Sequence, residues 1–350
     1  MTDTSAETRH IPDRLDTPLR AAVFSWPALL LLVAVALFVM NSFTSPYFLS
    51  PWSLSDATFN FTEKAIIALA MALLIISGEI DLSVASIIAL ASTMMGLALQ
   101  FGVGTPSLVA IGILTGLFCG MFNGFLVTRL GLPSIVVTIG TMSLFRGLTQ
   151  VILGDQALRT YPPGFLDLGQ SYFIPMTETS IPWLFIPPVP LSFLVFLVLA
   201  LIFGIVLHKT KVGRQLFAIG SNPVAARFSG IPVNRLRFVL FTLSGMLSGL
   251  AGALLTARLG SMRSNIAVGW ELDVVTMVIL GGVSIAGGVG SIFGVFLAVL
   301  VLGLVTFGMA LNNIPGQVIS VYIGALLIAV ISIPRVFERL RAWRSGRRAL

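Results

Sequence analysis

Charge is scarce in this sequence. Only 10% of its 350 residues are Asp, Glu, Lys or Arg, where soluble domains carry about 25%. So few charges cannot hydrate the surface of a folded globule, which leaves a surface that faces lipid. A single cysteine, Cys119, sits in an apolar run. It excludes an intrachain disulfide, and no CxxC or Cys/His cluster offers a zinc site. Histidine is limited to His10 and His208, neither of them mid-span. No Gly-Lys pair occurs, so there is no GxxxxGK[ST] phosphate loop and no ATP hydrolysis by this chain. The formal charge of +7 is small for the length, and the basic residues gather in loops. Nucleic-acid binding, which needs a basic face, is therefore not expected. Neither a metal-ligand cluster nor a nucleophile–base pair points to an enzyme.

Long apolar runs fill the space that charge leaves. About twenty polar residues precede the first run, Ala21 to Met40, and no small-x-small cleavage site follows it. We therefore expect no cleaved signal peptide. A spanning helix needs roughly 20 mainly apolar residues. On that basis spans are expected near 21–42, 62–78, 82–101, 106–128, 134–153, 190–208, 238–257, 271–287, 290–311 and 316–333. The expected fold is an all-α integral membrane protein of ten transmembrane helices, or eight if the short ones are re-entrant.

Lys and Arg in short loops set the orientation. Lys209, Lys211, Arg214, Arg227, Arg235 and Arg237 lie between spans six and seven with no acidic residue. The tail 334–350 carries Arg335, Arg339, Arg341, Arg344, Arg347 and Arg348 against Glu338. Loop and tail together hold 12 of the 21 basic residues, which places both in the cytoplasm. The loop 154–189 has Asp155, Asp167 and Glu178 against Arg159, and is expected to be periplasmic. Both ends then lie inside: a cytoplasmic tail at 1–20, a transmembrane domain over 21–333 with an inward loop at 209–237, and a basic tail from 334.

An internal echo suggests an inverted repeat. Glu79-Ile80-Asp81-Leu82 precedes span three, and Glu271-Leu272-Asp273-Val274 opens span eight 192 residues later. Leu132-Pro133-Ser134 and Ile314-Pro315-Gly316 open spans five and ten, 182 residues apart. Repeats of opposite direction place a pathway at their interface.

The two acidic motifs allow two readings. Asp81 and Asp273 fit helix N-capping, where a carboxylate meets free backbone N–H groups. Together with Glu79 and Glu271 they also fit a pathway lining or gate, the alternative being pairing with Arg. These motifs are the candidate intramembrane carboxylates. Gly112, Gly116, Gly120 and Gly124, like Gly245, Gly249 and Gly252, have the spacing of helix-packing faces. Gly281-Gly282 and Gly287-Gly288 flank a break, tolerable at membrane depth where protein or a water-filled cavity covers it. Asn123, Thr138, Thr141, Ser143, Gln150, Thr242 and Ser244 are polar groups within spans that could meet sugar hydroxyls, though most are expected as inter-helix bonds; Asn123, Thr138, Thr141, Gly281 and Gly282 join the acidic motifs and Arg146 as candidate pathway or gate residues. Arg146 lies deep in span five, positioned to snorkel, pair with a carboxylate or line a pathway.

The most specific stretch is Gly213 to Ile231, with a turn at Ser221-Asn222-Pro223 and a short Ala-rich helix ending at Gly230. A compact helical knob with basic flanks suits docking into a partner's groove.

Here the sequence resembles the permease subunits of ATP-binding-cassette importers for monosaccharides, the ribose/xylose/rhamnose/autoinducer-2 type. The resemblance runs from about Phe48 to Ile333. It rests on Gly78-Glu-Ile-Asp-Leu-Ser83, Asn123-Gly124, Leu132-Pro133-Ser134, Thr138-Ile-Gly-Thr141, Gly213 to Ile231, Glu271-Leu-Asp273, Gly281-Gly282 and Gly287-Gly288-Val-Gly290. Glu79 departs from the family's usual Gly-Gly-Ile-Asp-Leu-Ser.

The resemblance implies a non-catalytic subunit of a bacterial inner membrane that binds no cofactor. ATP and Mg would be used by a separate sugar-type ATPase. A second permease chain, identical or paralogous, would complete the pathway, and a periplasmic binding protein would deliver the sugar. The family's ATPase-coupling helices fall on Gly213, Arg214, Gly220, Asn222, Pro223, Ala225, Ala226 and Gly230. Glu271-Leu-Asp273 with Leu280-Gly-Gly-Val-Ser-Ile285 looks most like rhamnose-type permeases. The rival is an ATP-independent secondary transporter or channel for small polar solutes.

Overall fold

The computed structural model describes residues 25–154, 156–174 and 187–344. The 1–20 tail, Asp155, Glu178 and the last six residues of the basic tail lie outside them. Among the described residues thirteen helices follow in chain order: α1 Trp26–Thr44, α2 Pro51–Ile76, α3 Val84–Leu99, α4 Thr105–Thr128, α5 Ser134–Leu153, α6 Phe165–Gln170, α7 Leu191–Lys209, α8 Lys211–Ser221, α9 Pro223–Phe228, α10 Val233–Leu259, α11 Trp270–Leu280, α12 Ile292–Leu311 and α13 Gly316–Arg344. Two short antiparallel strands, β1 Tyr172–Ile174 and β2 Val189–Pro190, join the ends of the 154–189 loop.

Seven helices among the described residues are long and apolar enough to cross a membrane: α1, α2, α4, α5, α7, α10 and α12. Val84–Leu99 and Gly316–Val330 are shorter apolar helices. The protein is a multi-pass helical membrane protein.

Several boundaries depart from the expected spans. α2 begins at Pro51 rather than 62, because Ser50 caps it and Pro51 occupies its first turn. A serine cap followed by proline starts a helix whatever the polarity of the next turns. The expected span 271–287 ends at Leu280, so α11 has 11 residues and covers about 16 Å. That is half the ~30 Å hydrocarbon core. α13 runs past 333 and through Pro334 to Arg344.

α2 is the axis of the bundle. From Ala65 to Ile76 every side chain is buried, enclosed by α7, α10, α11 and α12. α1, α5 and α7 instead expose Leu32, Val136, Val151 and Leu201, the surface expected toward lipid.

The tightest packing joins α4 to α10. A β-carbon on Gly116 would overlap the Gly245 carbonyl and stand 2.7 Å from Gly249 N. One on Gly245 would reach Gly120 N at 2.6 Å. The glycine faces read from the sequence therefore meet backbone to backbone, as small residues permit in lipid.

At one end of the bundle the chain folds over itself. Leu158 and Met262 exchange backbone hydrogen bonds of 3.1 and 3.0 Å. Tyr161 stacks on Phe165 with centroids 5.2 Å apart and donates to the Leu158 carbonyl at 3.0 Å. Burial pushes its phenol up to about 12, so it stays a donor.

Candidate functional site

The knob between α7 and α10 is two short helices set at a corner. Thr210 caps α8, accepting from Gly213 N at 3.5 Å. Gly213 lies against Leu207, where a β-carbon would overlap the carbonyl. Asn222 caps α9, its Oδ1 accepting from Val224 N at 3.0 Å and Ala225 N at 2.9 Å. Pro223 takes the first helical position, and Gly230 ends the knob at φ +78°.

This corner corrects one expectation. Ala226 is not an exposed docking residue; it is buried with Ile219 and Val233 and holds the knob together. The outward face carries Arg214, Val224, Ala225 and Phe228, with Phe228 90% exposed.

Gly220 joins the knob to the bundle. A β-carbon there would overlap the Ile76 carbonyl at the end of α2 and the Gly288 amide. Gly288 N itself donates to Ile76 O at 2.9 Å. Gly287 and Gly288, at φ +83° and +74°, bring the 281–291 segment onto Gly220, Ser221 and Gly78. Three chain segments thus meet at one point: the knob, the end of α2, and the break between α11 and α12.

That break is irregular backbone. α11 ends at Leu280, its C-cap Gly281 is pressed against Gly294 and Val295, and Gly282 adopts φ +85°. Trp26 Nε1 donates to Leu280 O at 2.7 Å, meeting a carbonyl that the helix end leaves open.

The segment between α2 and α3 is the second irregular stretch. Glu79 pairs with Arg237 of α10 at 2.9 Å. Asp81 is fully buried. Its Oδ1 accepts from Ser83 N at 3.0 Å and Ser83 Oγ at 2.6 Å, and its Oδ2 from Ser244 Oγ at 3.0 Å. Asn123 extends the network by donating to Ser83 Oγ at 2.8 Å. Ser83, not Asp81, is the N-cap of α3, so simple capping is corrected to a three-helix polar network. Thr138 donates to Ser134 O at 2.9 Å, and Thr141 to Thr138 O at 3.4 Å.

Asp273 is likewise not a cap. Gly269 is the N-cap of α11, and Asp273 forms an ion pair with Lys64 of α2. Glu271 forms no ion pair among the described residues.

Arg146 finds backbone, not a carboxylate. Its Nη1 donates to Ser264 O at 2.9 Å and Ile266 O at 2.8 Å, and its Nη2 to Ala85 O at 3.2 Å. It straps the first turn of α3 to the loop that leads into α11.

Sequence reasoning missed the charges on α2. Glu63 is buried and accepts from Arg258 Nε at 2.7 Å. Intramembrane ionisable groups are therefore not confined to the two acidic motifs. The available signal was Glu63-Lys64, an opposite pair opening an unbroken apolar run. Each member now pairs with a different helix.

These features describe a bundle whose two broken elements rest on an exposed helical knob, with no metal-ligand cluster among the described residues. Residues 53–331 match the family described as the branched-chain amino acid transport system permease component. The chain belongs to that family, and is a non-catalytic transport subunit of a bacterial inner membrane. It is 34% identical over 327 residues to the autoinducer 2 import system permease proteins LsrD of Escherichia coli and Shigella flexneri, covering 93% of this chain and 97% of each relative. The LsrD of Salmonella paratyphi B is 33% identical over 336 residues, with the same coverage. No solved structure matches the chain.

Proposed function

We propose that this chain forms the translocation pathway of an ATP-driven importer for a small neutral polyhydroxylated solute of the monosaccharide and autoinducer-2 class. The autoinducer 2 import system to which the LsrD relatives belong supports that class, and the rhamnose-like motif reading falls within it.

In this proposal ten segments cross the membrane, the seven long helices plus α3, α13 and the stretch made of α11 with the irregular 281–291 backbone, with both ends inside. The basic content of 209–237 supports that orientation. The halves form an inverted repeat, a reading supported by the irregular acidic segments before α3 and around the start of α11. Residues 21–333 make up the transmembrane domain, with 154–189 facing the periplasm and the tails 1–20 and 334–350 facing the cytoplasm.

A separate ATPase, which uses Mg-ATP, docks beneath α8 and α9. A second permease chain completes the pathway, and a periplasmic binding protein delivers the solute. The permease itself holds no cofactor.

The observation that carries this reading is the meeting of Gly220 with Ile76 and Gly288. Force on α8 reaches the end of α2 and both irregular segments at once. Glu79–Arg237 then serves as an inner latch, and Asp81 with Ser83, Asn123 and Ser244 keeps the start of α3 in register. Thr138 and Thr141 line its neighbour α5. Arg146 makes the starts of α3 and of the α11 loop move together, and Gly281 and Gly282 provide the hinge. The ATPase drives the cycle only by binding two permease states with different affinity.

The test is reconstitution of the chain with its ATPase and binding protein in vesicles, assayed with L-rhamnose, D-ribose and autoinducer-2. Uptake is expected to require ATP. Downhill flux through the chain alone would establish the channel or secondary transporter instead, and labelling of 209–237 from outside would overturn the orientation.

A further inference from the structure

We infer that the cavity beside Lys64 and Asp273 is a binding station for the solute on its way in; this rests on the importer function proposed above. The cavity holds about 330 Å³. α2 contributes Asn60 and Lys64, the start of α11 Trp270 and Asp273, α12 Thr306, and α13 Ser320. Ligand pockets run from about 300 to 1,000 Å³, so this one suits a single ring and not an oligosaccharide.

Its chemistry is that of a polyol site. A carboxylate accepts, an ammonium donates, an amide does both, the Thr306 and Ser320 hydroxyls accept while donating to carbonyls of their own helices, and an indole presents an apolar face. Lys64 and Asp273 already pair with each other, and Lys64 Nζ lies 4.9 Å from the Trp270 ring centroid. The site is therefore close to neutral overall. A neutral solute shares hydrogen bonds with the pair intact. An amino acid would have to break the pair and satisfy both charges afresh, which desolvation makes costly. The cavity thus favours a sugar-like solute over the amino acids that the family description names.

Its position fits a station near the entrance. Ala310 and Gly316, at the turn between α12 and α13, line the cavity. That turn follows the end of α12 remote from the Gly220 contact. Lys64 precedes Ile76 by twelve residues, about 18 Å of helix, and every α2 side chain between them is buried. Solute held here still has the closed inner half ahead of it.

The test uses Ser320→Cys in the full complex in vesicles. The native Cys119 is buried and serves as background. A membrane-impermeant thiol reagent added outside is expected to label Ser320→Cys, and saturating transported sugar to slow labelling at least fivefold, with leucine having no effect. In uptake, Trp270→Ala is expected to raise KM about tenfold with less effect on kcat, and Trp270→Phe to recover most of the loss. No labelling from outside, labelling that sugar does not slow, or protection by leucine instead would overturn the assignment. Wild-type complex that takes up no sugar at all would remove the importer reading itself, and this station with it.

Discussion

Gly220 of α8 lies directly on the Ile76 carbonyl at the end of α2, with no room for a β-carbon between them. The contact is backbone on backbone, so it transmits displacement without the slack of a side chain. Gly220→Ala is expected to push the knob off its seat. Overpacking of this kind costs about 1–3 kcal/mol, which a large bundle survives. We expect ATPase co-purification within twofold of wild type and a fall in ATP-driven uptake of tenfold or more. Wild-type uptake by Gly220→Ala would show that this contact transmits nothing.

With the ATPase docked on the knob as proposed, the two faces of α9 separate docking from folding. Val224→Asp and Phe228→Ala alter exposed residues and are expected to weaken ATPase co-purification while leaving the thermal unfolding midpoint in detergent unchanged. Ala226→Asp places a carboxylate among Ile219 and Val233, where burial without a partner is costly. It is expected to lower that midpoint. The reverse pattern would mean that the docking face is misassigned.

Glu63 and Arg258 tie α2 to the end of α10 through a contact of 2.7 Å. Removing one partner leaves an uncompensated charge, at a cost of about 3–5 kcal/mol. Arg258→Met is therefore expected to destabilise the protein strongly, and Glu63→Leu with Arg258→Met to recover most of the loss. A double-mutant cycle on thermal unfolding measures the coupling. A coupling near zero would mean that the pair contributes nothing to holding the two helices.

Arg146 binds three carbonyls on two separate segments. Arg146→Lys keeps the charge but loses the planar fork that reaches them together. We expect uptake to fall about as far as in Arg146→Ala, with assembly of the complex retained. Full rescue by lysine would reduce the role of Arg146 to its charge.

Much of the local structure was legible in the sequence. Asn222-Pro223 announces a capped turn, and α9 begins there with Asn222 as its cap. The glycine ladders on α4 and α10 predicted a close crossing, and the two helices do meet. The glycine pairs at 281–288 predicted a break, and α11 ends at Leu280. Asp81, Asp273 and Arg146 have partners that local spacing does not reveal. Local spacing favours a cap or a carboxylate partner, but beyond Ser83 and the Ala85 carbonyl they reach Ser244, Lys64 and the carbonyls of 264 and 266, between 118 and 209 residues away.

Composition and the succession of apolar runs were enough to establish a multi-pass helical membrane protein, because insertion into lipid depends on sums over about twenty residues. The folded bundle alone assigned the charges inside it to partners, turned Ala226 inward and set Gly220 on Ile76. Those outcomes depend on which helices become neighbours, and a linear pattern carries no distance between residues far apart along the chain.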